Sequence, residues 1–129
     1  MAYLAIVTLL ALLEYMAFGI LVGRARAKYG IKAPATSGDP IFERYFRVHQ
    51  NTGEQLLVFV PALWVFGSFA SEGWGALLGL LFIAGRALYM RGYVADPEQR
   101  GVGFLVGFVA NIVLVLGGLI GASAAALRG

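Results

Sequence analysis

Four long stretches almost free of charge leave this chain few ways to fold. Ala2 to Val22 carries one charge, Glu14; Gln55 to Ser71 carries none; Trp74 to Met90 carries only Arg86; and Val102 to Leu127 is uncharged. About 20 apolar residues, rising about 1.5 Å each, cross a hydrocarbon core of about 30 Å. Hydrophobic residues fill 60% of the 129 positions and charged residues only 13%, a surplus that has to face lipid. No apolar–polar alternation suggests strands. The expected fold class is an all-α membrane protein: a four-transmembrane-helix bundle forming one domain over residues 1–129, with spans at about 2–23, 40–71, 74–94 and 97–127.

Asp39-Pro40 and Asp96-Pro97 read as helix starts, an acidic cap followed by a proline whose missing N–H costs nothing there. A helix from Pro40 to Ser71 would reach about 48 Å, so its first turns stand clear of lipid, and Pro61 is a candidate kink. A cleaved signal peptide is the competing reading of the first stretch. Against it, the run has no basic start and is followed by Arg24, Arg26 and Lys28, a stop-transfer pattern.

Four spans put both termini on one side. Arg24, Arg26, Lys28, Lys32, Arg44, Arg47, Arg91 and Arg100 lie in or beside the two loops of the other side, against Arg128 alone near the termini. The positive-inside rule places those loops in the cytoplasm and the termini in a periplasm or lumen. The net charge of +3 is thus accounted for by topology; no solvated basic face suggests nucleic acid. With no cysteine and one histidine, the chain offers no thiol nucleophile of its own and no self-contained zinc site.

Arg47, Asn51 and Glu54 follow one another at i, i+4 and i+7, within about 40° on a helix, while His49 points about 200° from Arg47. Arg86, Tyr89 and Tyr93 share a face in the same way. Ionisable groups at membrane depth turn toward a bundle interior or a wet cavity, which singles out Glu54 and Arg86. A structural ion pair between the two is the plain alternative. The arginines Arg47, Arg86, Arg100 and Arg26 outnumber nearby carboxylates and suit an anion with several acid groups; a basic cytoplasmic rim is the competing reading. Arg100, expected in the first turn of the fourth helix, would stabilise a thiolate or oxyanion lying against it. An interfacial arginine reaching for headgroups is the alternative there.

The run Phe42-Glu43-Arg44-Tyr45-Phe46-Arg47-Val48-His49-Gln50-Asn51-Thr52-Gly53-Glu54, with Arg86, Tyr89, Gly92, Tyr93, Pro97 and Arg100, resembles the membrane-associated proteins in eicosanoid and glutathione metabolism, the MAPEG family. The likeness covers nearly the whole chain and is strongest to the microsomal glutathione transferase branch. It implies a homotrimer that takes glutathione as co-substrate, with no metal, between adjacent subunits near the cytoplasmic ends of the helices. The residues matching Arg47, Asn51, Glu54, Arg86, Tyr89, Tyr93 and Arg100 surround glutathione in that family, and those matching Arg26 and His49 come from the next subunit. Two positions depart from the pattern: Gln55 replaces a tyrosine of several relatives, and Ala27 an arginine of the leukotriene synthase.

The resemblance implies a membrane-bound glutathione transferase or peroxidase, with Arg100 holding the sulfur as thiolate for attack on a lipophilic electrophile or a lipid hydroperoxide. Prostaglandin-E-type isomerase activity is a weaker implication. A bacterial inner membrane and an endoplasmic reticulum are equally admissible. Two other classes compete: a non-catalytic lipid-binding accessory protein of the same family, and a small proton-coupled exporter built around Glu14. For Glu14 the expected alternative is a structural contact with a polar group such as Asn111.

Overall fold

The structure is a computed structural model describing residues 1–129. It consists of α1 (Ala2–Tyr29), α2 (Pro40–Phe69), α3 (Glu72–Ala95) and α4 (Gly101–Arg128), with a 3₁₀ turn at Pro97–Arg100 and no strand. All four helices are long and apolar enough to cross a membrane. The protein is a multi-pass membrane protein.

The helix boundaries follow local chemistry. The Asp39 carboxylate accepts the N–H groups of Ile41 and Phe42, each at 2.9 Å, and opens α2 just before Pro40. Ser71 caps α3 by accepting from Trp74 N–H at 3.2 Å, which reduces the α2–α3 connection to a tight turn. α2 continues through Pro61 as one helix. α1 runs past the expected end near residue 23 as far as Tyr29, so Arg24, Arg26 and Lys28 ride on a helix rather than in a loop. The Arg-Ala-Arg-Ala-Lys run propagates helix readily. It stops at Gly30, whose left-handed φ of 71° lets its N–H close onto Arg26 O.

The fourth helix departs from expectation at its start. Asp96 does cap, accepting from Glu98 N–H at 3.1 Å, but the first four residues wind as a 3₁₀ turn and the α-helix begins only at Gly101. Arg100 therefore sits at the junction of turn and helix rather than within the first turn of α4.

α2 packs against the other three helices; α1 rests on α2 and α3 and hardly meets α4. The main apolar core occupies the half nearer the termini, where Phe59 of α2 and Phe82 of α3 stack with centroids 4.0 Å apart. A smaller cluster of Phe18, Val48 and Tyr89 lies toward the loop end. Most other large apolar side chains point outward, the arrangement lipid favours over water.

The α3–α4 seam brings backbone against backbone. A Cβ on Gly103 would fall 2.1 Å from Tyr89 N, and one on Gly85 would fall 2.7 Å from Gly107 N. Small residues allow this close approach where lipid tails compete equally for every larger side chain. Gly103→Ala should accordingly cost about 2 kcal/mol by overpacking. Gly73→Ala, at a position with open space around it, should cost nothing. Thermal unfolding of the two variants in detergent checks the difference.

Candidate functional site

Between the two apolar clusters lies a buried arginine. Arg86 is 1% exposed and Thr52 fully buried. The guanidinium donates from Nε (3.2 Å) and Nη2 (2.9 Å) to Thr52 Oγ1 and from Nη2 to Asn51 Oδ1 at 2.7 Å. Thr52 in turn donates to Val48 O at 2.7 Å, which leaves its lone pairs directed at the arginine. The charge is thus solvated by neutral oxygens fixed on α2, the condition under which a buried cation is tolerable.

From this point aromatic rings and cations form a column along α3. Arg86 lies 4.2 Å from the Tyr89 ring centroid, Tyr89 and Tyr93 are 5.6 Å apart, and Arg100 stands 6.0 Å from Tyr93. The column climbs one turn of α3 per step from the buried Arg86 to Tyr93 and ends on the exposed Arg100 of the 3₁₀ turn. Arg100 Nη1 donates to Pro97 O at 2.7 Å, a bond within its own turn.

Of the residues singled out in the sequence, the structure brings together Asn51, Arg86, Tyr89, Tyr93 and Arg100. Arg47 and Glu54, on the same stripe of α2 as Asn51, are exposed. The ion pair between Glu54 and Arg86, the plain alternative to a functional site, is not formed. Glu54 lies about 200° around the helix from Thr52, so its carboxylate points outward while Thr52 and Asn51 take the arginine. His49 is elsewhere: its ring stacks on Tyr15 of α1 at 4.3 Å. Arg26 donates to Ala35 O at 2.7 Å and lies over Phe42 at 4.9 Å, holding the first loop against α1 and α2.

Gln55 has a task of its own. Its side-chain oxygen accepts from Asn111 Nδ2 at 3.3 Å, which ties α2 to α4 one turn beyond Thr52. Asn111 is therefore not the partner of Glu14, because α1 and α4 hardly meet. Leu4 approaches Gly75 and Val7 approaches Gly79, and Phe18 shares a cluster with Tyr89, so α1 and α3 run in parallel at a constant register. That register sets Glu14 level with Arg86, and one carboxylate oxygen of Glu14 is buried without a hydrogen-bond partner.

Thr52 is the partner of Arg86 that sequence reasoning passed over. Its signal was its place beside Asn51 one turn from Val48, legible only once the facing helix is known. Arg44 was passed over in the same way: it donates to Val94 O at 3.0 Å and holds the end of α3 beside the 3₁₀ turn. No group of three or more His, Asp or Glu side chains gathers anywhere in the chain.

Two cavities lie apart from the column. One, of about 250 Å³, opens beside Arg24, Lys28 and Tyr45. The other, of about 470 Å³, is an apolar groove between α2 and α4 along Leu57, Pro61, Leu114 and Leu119. Neither contains Arg47, Arg86 or Arg100.

Replacing Thr52 by valine keeps shape but removes the acceptor of two Arg86 N–H groups. The expected loss is about 2 kcal/mol of stability, read as a lowered unfolding temperature, with Thr52→Ser close to the parent.

The family model that matches residues 4–120 is that of the MAPEG family. Among similar proteins, an uncharacterized protein of Synechocystis is 46% identical over 116 residues, covering 90% of this chain and 85% of that one. Human microsomal glutathione S-transferase 2 is 37% identical over 118 residues, 92% of this chain and 80% of the relative. Rat leukotriene C4 synthase is 41% identical over 99 residues, 77% of this chain and 66% of the synthase. With the family model spanning most of the sequence and the motif residues gathered along α2, α3 and the turn before α4, the chain belongs to the MAPEG family.

Proposed function

We propose that the protein is a membrane-bound glutathione transferase, with glutathione peroxidase activity at the same site, and that it works as a homotrimer. The observation that carries the reading is the column from Arg86 through Tyr89 and Tyr93 to Arg100, anchored on Asn51, in a chain of this family. The name of the human relative, a glutathione S-transferase, points to the same co-substrate. The trimer rests on the sequence resemblance, and the division of the candidate residues supports it. One set lies along α3 and the outward stripe of α2, while Arg26 and His49 face α1 and the first loop, so two copies laid side by side would bring the sets together.

In this reading Arg47, exposed on the outward stripe of α2, takes a glutathione carboxylate, since arginine forks match carboxylates in bidentate fashion. Glu54, exposed and without a partner in the chain, takes the peptide's ammonium group. Arg86 is spent on Thr52 and Asn51 and acts by orienting Asn51 and the Tyr89 ring. Arg100, once released from Pro97 O, lies against the sulfur. A thiol of pKa about 8.5 is mostly protonated at neutral pH, and lowering it by about two units takes about 2.7 kcal/mol, within the range of a close cation in a dry site.

The thiol proton passes to water. The sulfur lone pair then forms a C–S bond to the electrophile as the leaving group departs with its electron pair. With a lipid hydroperoxide, the thiolate cleaves the O–O bond, and a second glutathione completes the reduction to alcohol, water and glutathione disulfide. The second substrate arrives from lipid and is hydrophobic.

A lipid-binding accessory role is the second reading, favoured by the apolar groove between α2 and α4. Titration with glutathione, followed by assay with a chlorodinitrobenzene-type electrophile and a lipid hydroperoxide, separates the two. Glutathione-dependent turnover is expected, and binding without turnover would select the accessory role. Proton-linked drug flux in vesicles would instead select an exporter working through Glu14. Arg100→Ala should lower kcat about 100-fold while leaving glutathione affinity within about threefold of the parent. An unchanged kcat would remove Arg100 from the chemistry.

A further inference from the structure

The cavity between the loop ends of α1 and α2 takes no part in that chemistry. It is lined by Leu21, Arg24, Ala25, Lys28, Tyr29 and Tyr45 around about 250 Å³. Arg24 and Lys28 stand one turn apart on the same flank of α1, a spacing at which like charges repel. No carboxylate compensates them: the one ion pair of the chain joins the Met1 amino group to Glu72, at the other end of the bundle. Glu43 of the neighbouring helix start is engaged with Gly38 N–H at 3.3 Å. Arg26, between the two cations in sequence, turns away to Ala35 O.

The remaining lining sets the character of the site. Leu21 and Ala25 make an apolar floor, Ala25 being buried against Val22 and Phe42. Tyr29 and Tyr45 add two phenol groups, amphipathic rings of the kind that settle at headgroup level. Lys28 Nζ is held 5.4 Å from the Tyr29 centroid. The depth is fixed by α1, whose apolar run ends where Arg24 begins, so the cations stand at the edge of the hydrocarbon with the floor just inside it.

We propose that this cavity binds the headgroup phosphate of an anionic phospholipid, with Arg24 and Lys28 on the phosphate, the tyrosine hydroxyls at its rim, and the glycerol and first acyl carbons against Leu21 and Ala25. A lipid is preferred over a free phosphate because the floor is apolar and the site lies in the plane where lipid phosphates are concentrated. The binding is independent of the thiolate reading.

The test uses the full chain in nanodiscs of phosphatidylcholine containing phosphatidylglycerol, with the lipids retained on the protein counted by native mass spectrometry. The parent should retain phosphatidylglycerol in preference to phosphatidylcholine. Arg24→Ala with Lys28→Ala should lose that preference by at least about tenfold more than a control of equal charge loss, Lys32→Ala with Arg91→Ala. The pair Arg24→Gln and Lys28→Gln, which keeps the aliphatic stems, should behave like the alanine pair. Equal losses in test and control variants would mean diffuse surface charge and overturn the proposal, as would parent-like retention in the alanine pair. Displacement of the lipid by soluble glycerol phosphate would make the site one for small phosphates and overturn it as a lipid site.

Discussion

The hydrogen bonds from Arg86 to Thr52 and Asn51 are the constraint around which this bundle is arranged. A guanidinium at membrane depth has to be solvated by the protein itself, and the structure does it with two neutral acceptors on one neighbouring helix. Those bonds fix the height and rotation of α3 against α2. They are directional, whereas the apolar contacts around them tolerate sliding. With Arg86 set, the positions one and two turns along α3 follow, and Tyr89 and Tyr93 are delivered to the loop end in line with Arg100.

This separates two kinds of arginine that composition cannot tell apart. Arg86 is a charge spent on architecture, its guanidinium engaged by Thr52 and Asn51. Arg47 and Arg100 are exposed, and the hydrogen bond that Arg100 makes is to a carbonyl of its own turn. An anion offers Arg100 a stronger, charge-assisted partner than a neutral carbonyl does. The arrangement is one of a formed interior and an exposed outer rim.

The fold was largely legible because its signals are local. Uncharged runs of sufficient length and the Asp-Pro pairs each act within a few residues: α2 starts at the first pair, and the second opens the 3₁₀ turn that leads into α4, whereas the end of α1 at Gly30 went unread. Of the candidate residues, the grouping of Arg86, Tyr89 and Tyr93 on one face of α3 was legible, since a stripe on one helix is a matter of angle. What escaped were relations between helices. Thr52 reads as an ordinary helical threonine until Arg86 is placed beside it. Gln55 reads as a missing contact until Asn111 is found opposite. The Glu54–Arg86 pair was plausible by charge and failed on rotation. The 3₁₀ winding at Pro97–Arg100 was hidden for another reason: a capped, proline-initiated segment begins identically whether it continues as the tighter or the wider helix.

The glycine seam reaches beyond stability. At Gly103 and Gly85 the chains of α3 and α4 touch with no side chain between them, and at Gly92 a Cβ would lie 2.5 Å from Gln99 O in the connecting turn. Such a joint has no slack to take up, so this half of the molecule behaves as a single plate carrying Arg100 at its rim. The travel available to that guanidinium is the reach of its own rotamers. Any change of shape at that rim therefore falls to side chains and not to the backbone of α3 and α4.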